Sequence, residues 1–166
     1  MNLKIDKCFD DKKAITITIP GGKDISIREI FLDYTGTLSK DGKLIEGVAQ
    51  RLVLLSQKVK VSIYTADTFG SAKKELENLP VEINIIKNGD DKEKALKKKS
   101  YKYIAAIGNG INDVKMLKLA KFSVAIIGPE GAAAKLLRYS DIVVSNIIDA
   151  LDLFLNTKRI TATLRK

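Results

Sequence analysis

The sequence predicts an α/β fold: an open sheet of parallel strands with helices on both faces, a three-layer, Rossmann-like arrangement. Three observations predict it. From residue 27 onward, short Val/Ile-rich runs alternate with amphipathic stretches through brief connections. The runs are apolar on consecutive positions, as strands buried on both faces are. Polar clusters fall where these runs end, and open parallel sheets bind ligands at the carboxyl ends of their strands.

Taken in order, Ala14 to Ile19 alternates apolar and polar residues, a half-exposed strand. Pro20-Gly21-Gly22 then turns into a core strand at 27–32. A small N-terminal hairpin follows from this pattern. Gly21-Gly22-Lys23 lacks the leading glycine and the Ser/Thr of a phosphate loop and reads as a turn. Asp41-Gly42 centres a tight hairpin over 39–44, a flap over the end of the 27–32 strand. Val48, Leu52, Leu55 and Val59 form a helical stripe over 46–58, and Val61 to Tyr64 is the next strand, with Thr65 at its exit. A short helix spans Ser71 to Asn78, and Pro80 separates it from a strand over 82–86.

Asn88-Gly89-Asp90-Asp91 caps a Lys-rich helix over about 91–99. Tyr103 to Ile107 is a strand that ends in Gly108-Asn109-Gly110-Ile111-Asn112-Asp113, and a helix with Met116, Leu117 and Ala120 on one face follows. Strands at 122–127 and 142–144 bracket a helix at 131–139. An amphipathic helix spans Ile147 to Leu155, and Arg159 to Lys166 reads as a polar tail. No repeat, low-complexity tract or linker interrupts the pattern, so residues 1–166 read as one domain.

Composition narrows the function. Apolar residues make up 45%, enough for a core on both sides of a sheet. No window approaches the ~18 apolar residues of a membrane helix, and Met1 to Asp6 lacks a signal peptide's apolar core. Cys8, the only cysteine, excludes an internal disulfide. The expectation is a cytoplasmic protein without a membrane partner. The net charge of +9 is spread along the chain, and its few aromatics do not alternate with the basic positions. That favours attraction of anionic substrates over nucleic-acid binding. With no histidine anywhere, catalysis must rest on carboxylates, Lys, hydroxyls and oxygen-bound metals.

Asp33-Tyr34-Thr35-Gly36-Thr37-Leu38 organises the rest. An ionisable carboxylate ends a buried strand, and a hydroxyl- and glycine-containing turn follows that can hold an anion. A carboxylate facing phosphate needs a cation between them. Thr65, Lys92 and the Asn109/Asn112/Asp113 group lie at other strand exits or helix starts. Singly, each has a plain structural explanation, as a backbone partner, a solvated lysine or a helix cap. Together they supply a nucleophile, a hydroxyl donor, a cationic charge and oxygen ligands for Mg²⁺, the needs of phosphoryl transfer.

These residues and their order resemble the haloacid dehalogenase-like phosphotransferase superfamily. Its motifs are met by Asp33 to Leu38 (D-x-[D/T]-G-T-[L/V]), by Thr65, by Lys92, and with one change by Gly108 to Asp113 (G-D-G-x-N-D). Thr at 35 and the Asn112-Asp113 pair further resemble the phosphorylation domain of P-type ATPases, which points to the small soluble P-type-ATPase-like branch. A dinucleotide-binding G-x-G-x-x-G reading of 108–113 fails because Asp113 stands in the third glycine's place. The resemblance implies that Asp33 attacks phosphorus and becomes an aspartyl phosphate. It implies that Thr65 and Lys92, with Gly36 and Asn112, bind the phosphoryl oxygens, and that Thr35 occupies the acid–base position. Mg²⁺ is then held by Asp33, the Thr35 carbonyl and Asn109, with Asp113 orienting metal-bound water or Lys92.

Two departures carry consequences. Thr35 replaces the Asp that serves most of these phosphatases as general acid and base, a role worth about 10²–10⁴-fold. Weak turnover of alkyl phosphates and better turnover of good leaving groups follow. Asn109 replaces a metal-binding Asp, which weakens Mg²⁺ binding. Segments 38–60 and 66–91 are too short for a cap domain. The open site suits a phosphorylated macromolecule, or a small molecule if the subunits of a homo-oligomer cover one another. The leading expectation is an Mg²⁺-dependent phosphohydrolase. The alternatives are a regulatory phosphate- or nucleotide-binding domain with degenerate catalysis, and a capless sugar-acid phosphatase, against which Thr35 argues.

Overall fold

The computed structural model describes residues 13–165. Cys8 and the N-terminal stretch considered for a signal peptide lie outside the described residues. The chain begins with the expected hairpin, β1 (Ile15–Ile17) antiparallel to β2 (Ile25–Ile27), closed by Gly22 N–H donating to the Ile19 carbonyl at 2.9 Å. The apolar run at 27–32, expected as one strand, serves two sheets. Ile27 pairs with Ile15 in the hairpin, whereas β3 (Glu29–Leu32) pairs with the main sheet. Arg28 makes the handover, its N–H donating to the Tyr103 carbonyl and its own carbonyl accepting from Lys60 N–H.

β4 (Ser39–Lys40) and β5 (Lys43–Leu44) form the flap, with Asp41 and Gly42 both at positive φ (51° and 79°), as a two-residue hairpin turn requires. Then come α1 (Val48–Ser56), β6 (Lys60–Thr65), α2 (Ala72–Glu75), β7 (Glu82–Ile85), α3 (Gly89–Lys98) and β8 (Ile104–Gly108). α4 (Val114–Leu119), β9 (Phe122–Ile126), α5 (Ala134–Leu137), β10 (Ile142–Val144), α6 (Ile147–Leu155) and α7 (Lys158–Leu164) complete the described chain. The six central strands lie parallel in the order β10-β9-β8-β3-β6-β7. From β3 the chain moves outward through β6 and β7, then returns to start β8 on the other side. The reversal falls between β3 and β8, so Asp33 and Asn109 leave the sheet at the crevice where such sheets bind ligands.

Side chains alternate across the sheet. Ile30 and Leu32 of β3 join Leu52, Leu55, Leu151, Phe154 and Ile160 on one face. Phe31 joins Leu96, Met116, Leu117 and Leu136 on the other. This is the three-layer arrangement expected, and among the described residues no cap domain is inserted. Arg51 and Asp152 tie α1 to α6 through two bonds, Nε to Oδ1 at 2.7 Å and Nη2 to Oδ2 at 3.1 Å.

Some boundaries differ from expectation. The polar tail expected at 159–166 is instead largely helical, α7 occupying 158–164: Ile160 is fully buried and the Thr161 hydroxyl donates to the Thr18 carbonyl at 2.7 Å. Ile160 and the half-buried Leu164 suffice to seat it, because the hairpin offers a docking face. The helix expected over 71–78 stops at Glu75, before Asn78 at φ 66° and then Pro80. The helix expected over 131–139 shrinks to α5, because Ala133 is extended and donates its N–H to the Asn109 carbonyl at 2.8 Å. Among the described residues no helix is long and apolar enough to cross a membrane.

The core makes a checkable demand. Phe154 is 1% exposed and meets Phe122 edge to face at 5.9 Å. Phe154→Ala is expected to cost about 3–5 kcal/mol of unfolding free energy, read as a lowered urea midpoint at unchanged slope.

Candidate active site

Each site residue is placed by the end of a rigid element. Asp33 follows β3 directly, its N–H donating to the Ile107 carbonyl of β8 at 3.0 Å. Thr65 is the last residue of β6, and Lys92 lies in the first turn of α3, whose N-cap Asn88 accepts from Asp90 and Asp91 N–H. Asn109 follows β8, and Asp113 closes a 3₁₀ turn over 111–113. These exits surround a cleft of about 210 Å³ lined by Asp33, Thr35, Thr65, Lys92, Asn109, Asn112 and Asp113, together with neighbours that include Thr68, Ile86 and Asn88. Every site residue predicted from sequence lines it except Gly36. The Gly36 N–H donates to the Ser39 carbonyl at 3.1 Å and turns the flap. A Cβ on Gly36 would stand 2.5 Å from the Asn109 amide nitrogen, so this glycine admits the Asn109 side chain and does not face the cleft.

The centre is a buried ammonium shared by two carboxylates. Lys92 Nζ donates to Asp33 Oδ1 at 2.6 Å and to Asp113 Oδ1 at 2.5 Å, and all three residues are less than a tenth exposed. Asp113 Oδ2 accepts from the backbone N–H groups of Asn109 (3.1 Å) and Gly110 (2.9 Å), so both its oxygens are committed. Asp113 therefore positions Lys92 and the 108–113 loop. Gly108 makes this geometry possible, since a Cβ there would lie 2.5 Å from the Asp113 carboxyl carbon.

Two negative charges against one positive leave the cluster one charge short of neutral. Burial first, and then the Asp113 carboxylate, push the Asp33 carboxyl up to about 6, against the opposing pull of Lys92 and Thr37. Burial alone would depress Lys92, but Asp33 and Asp113 outweigh it and hold the ammonium above the ordinary lysine range. Lys92 therefore stays charged, and Asp33 is the member that lacks full compensation.

That deficit lies beside oxygen atoms suited to a hard cation. The Thr37 hydroxyl, fully buried, lies 3.0 Å from Asp33 Oδ2 and 3.2 Å from Asn109 Oδ1. It has one hydrogen for two acceptors, so one of those oxygens always lacks it. Asn109 Nδ2 donates to the Gly131 carbonyl at 3.0 Å, which turns Oδ1 toward Asp33. Asp33 Oδ2 and Asn109 Oδ1 thus converge, a donor set that fits Mg²⁺ though with one formal charge between them. Among the described residues no three carboxylate, imidazole or thiol groups gather at one point. The sequence offers Thr37 as one of the hydroxyls of the anion-binding turn, whereas its hydroxyl is turned onto Asp33 and Asn109. Its place four residues after Asp33 was the available signal.

The flap is tethered on both sides. Asp41 N–H donates to Glu130 Oε1 at 2.8 Å and Leu44 N–H to Glu75 Oε2 at 2.9 Å, while the Tyr34 hydroxyl holds the Gly42 carbonyl at 3.0 Å. Nothing in the sequence singled out either glutamate.

Comparison with known proteins is consistent with this geometry. A family model described as haloacid dehalogenase-like hydrolase matches residues 74–146. An uncharacterised protein of Methanocaldococcus jannaschii is 51% identical over 73 residues, 44% of this chain and 78% of that one. Among solved structures, 3-deoxy-D-manno-octulosonate 8-phosphate phosphatase from Moraxella catarrhalis, in complex with magnesium, phosphate and KDO, superposes with a TM-score of 0.61. It is 20% identical, over 84% of this chain and 94% of that chain. A zinc-transporting PIB-type ATPase gives a TM-score of 0.59 at 25% identity, over 72% of this chain and 20% of the transporter.

The charge deficit predicts a stability signature. Asp33 has a folded-state pKa above its unfolded value of 3.8, so the stability it contributes is present below that value and lost as pH rises through about 6. In metal-free buffer, Asp33→Asn is expected to be more stable than wild type at pH 7.5, by up to about 3 kcal/mol, with the gap closing by pH 4. Urea midpoints of both proteins at the two pH values check it.

Proposed function

We infer that the chain is a haloacid dehalogenase-like hydrolase, a reading supported by the family model over residues 74–146, and that it works as an Mg²⁺-dependent phosphohydrolase through a phosphorylated Asp33. The observation that carries this reading is the Lys92 ammonium held between Asp33 and Asp113 at the floor of a cleft open to ligands.

In this reading Asp33 Oδ2 and Asn109 Oδ1, with the Thr35 carbonyl, would hold the metal, and Oδ1 beside Lys92 is the attacking atom. Bound Mg²⁺ would supply positive charge against the phosphoryl oxygens. Oδ1 forms a bond to phosphorus while the bond from phosphorus to the leaving-group oxygen breaks, and that oxygen departs with the electron pair. Lys92 and the Thr65 hydroxyl balance the charge on the transferring group, and Asn112 contacts it from the rim. The Thr65 oxygen already accepts from Asp67 N–H at 2.9 Å, which fixes the oxygen and leaves its hydrogen to donate. In the second step a water oxygen attacks phosphorus, the bond to Oδ1 breaks, and the Asp33 carboxylate returns. The water's proton passes to solvent and inorganic phosphate leaves.

Thr35 lines the cleft but has no group that ionises near neutral pH. It cannot hand a proton to a departing alkoxide or take one from the water. Anhydrides, acyl phosphates and aryl phosphates, whose leaving groups are stable as anions, are therefore the favoured substrates, and the phosphoenzyme is long-lived. The neutral Asn109 supports a second reading, a regulatory domain that binds phosphate or nucleotide without efficient turnover.

One experiment separates the two. Wild type incubated with an acyl phosphate labelled at phosphorus, with and without Mg²⁺, is expected to carry acid-stable label at Asp33. Asp33→Asn is expected to carry none and to hydrolyse nothing. Turnover that survives Asp33→Asn overturns the phosphoaspartate mechanism, and binding of beryllium fluoride without any labelling favours the regulatory domain. Thr35→Asp is expected to raise kcat for an alkyl phosphate toward about 10²-fold and to shorten the life of the labelled protein. An unchanged or lower rate refutes the role given to Thr35.

A further inference from the structure

The charges in the cleft bear on which leaving groups it accepts. Its floor holds Asp33, Asp113 and Lys92, a sum of one negative charge, and Lys92 is already engaged by both carboxylates. A divalent cation raises the sum to one positive. A phosphoryl group brings nearly two negative charges at neutral pH, so the loaded site is net negative with or without the metal. The residues beyond the phosphoryl position do not offset this. Thr68, Asn88, Asn112 and Ile86 line the outer cleft, and they are neutral. Asn88 spends its side-chain oxygen on the start of α3, accepting from Asp90 N–H at 3.0 Å, which leaves its amide hydrogens toward any ligand. Among the described lining residues, Lys92 is the single cation.

We propose that the cleft selects phosphate compounds whose leaving group is uncharged, neutral aryl or acyl groups bound by hydroxyl, amide and methyl contacts, and discriminates against leaving groups that bear a carboxylate or a second phosphate. The inference rests on the phosphohydrolase reading for its substrate class, but the selection arises from the outer wall and acts on binding as well as turnover. Sugar-acid phosphates fall outside its range, and among the good leaving groups it narrows the choice to acyl and aryl phosphates over phosphoric anhydrides, whose leaving group is itself a charged phosphate. A second unit charge some 8 Å from an uncompensated one, at the effective dielectric of a protein surface, disfavours the charged ligand by roughly tenfold or more at low salt.

An isosteric pair tests this: 4-carbamoylphenyl phosphate against 4-carboxyphenyl phosphate, and the two corresponding phosphonates as ligands that cannot be turned over. The carbamoyl ester is expected to have a kcat/KM about tenfold higher at low salt, with the ratio falling as salt is added. The carbamoyl phosphonate is expected to raise the melting temperature at lower concentration than the carboxyl one. Thr68→Lys, a change at an exposed position of the wall, is expected to narrow or reverse both preferences. Equal or better use of the carboxyl ester by wild type overturns the proposal, as does a Thr68→Lys variant with an unaltered preference. If neither ester is hydrolysed, the phosphohydrolase reading fails while the order of phosphonate binding still decides this one. If neither phosphonate binds, this inference falls as well.

Discussion

A single ammonium shared by two buried carboxylates is the constraint on which the site depends. Lys92 Nζ reaches Asp33 and Asp113 at 2.6 and 2.5 Å, and each of the three comes from a different exit of the sheet. Burying any one of them alone would be costly, because an unpaired charge loses its hydration and gains nothing in return. Together they form a cluster that is stable only when all three elements keep their register. The cost that remains is concentrated at Asp33, the atom that chemistry would use, as expected where a site gives up stability for reactivity.

The surrounding packing enforces that arrangement. Gly108 lets the Asp113 carboxylate lie against the end of β8. Gly89 does the same for the first turn of α3, where a Cβ would stand 2.5 Å from the Asn112 carbonyl oxygen. The helix that carries Lys92 and the loop that carries Asp113 are thereby brought into direct backbone contact. These glycines are explained by close approach, and only Gly36, at φ 74°, is needed for its backbone angle as well.

The sheet and the cleft were legible in the sequence because their signals are local. Buried parallel strands read as apolar runs, and polar residues at their exits fall where the fold binds ligands. Asp33, Thr35, Thr65, Lys92, Asn109, Asn112 and Asp113 could be assembled from their places at strand exits and helix starts and from the motifs they match. What escaped was set by tertiary partners. The run at 27–32 contains no turn signal, yet it divides at Arg28 because the two halves meet different strands. α7 is seated by Ile160 and Leu164 against the core and by Thr161 on the hairpin, partners that its mostly polar sequence does not announce. The direction of the Asn109 amide depends on a carbonyl at Gly131, and no spacing rule predicts that. Gly36 was misplaced because a glycine in a phosphate-binding motif reads as a backbone donor, whereas here its N–H was already claimed by Ser39.

The tethers on the flap have a consequence for the turn at its base. A hairpin hinged at its base can swing, but this one is fastened at its turn to Glu130 and at its second strand to Glu75, with the Tyr34 hydroxyl on the Gly42 carbonyl. It is a brace and not a door. What it braces is the bend from Thr35 to Thr37, so the Thr37 hydroxyl already stands between Asp33 and Asn109 before a ligand arrives.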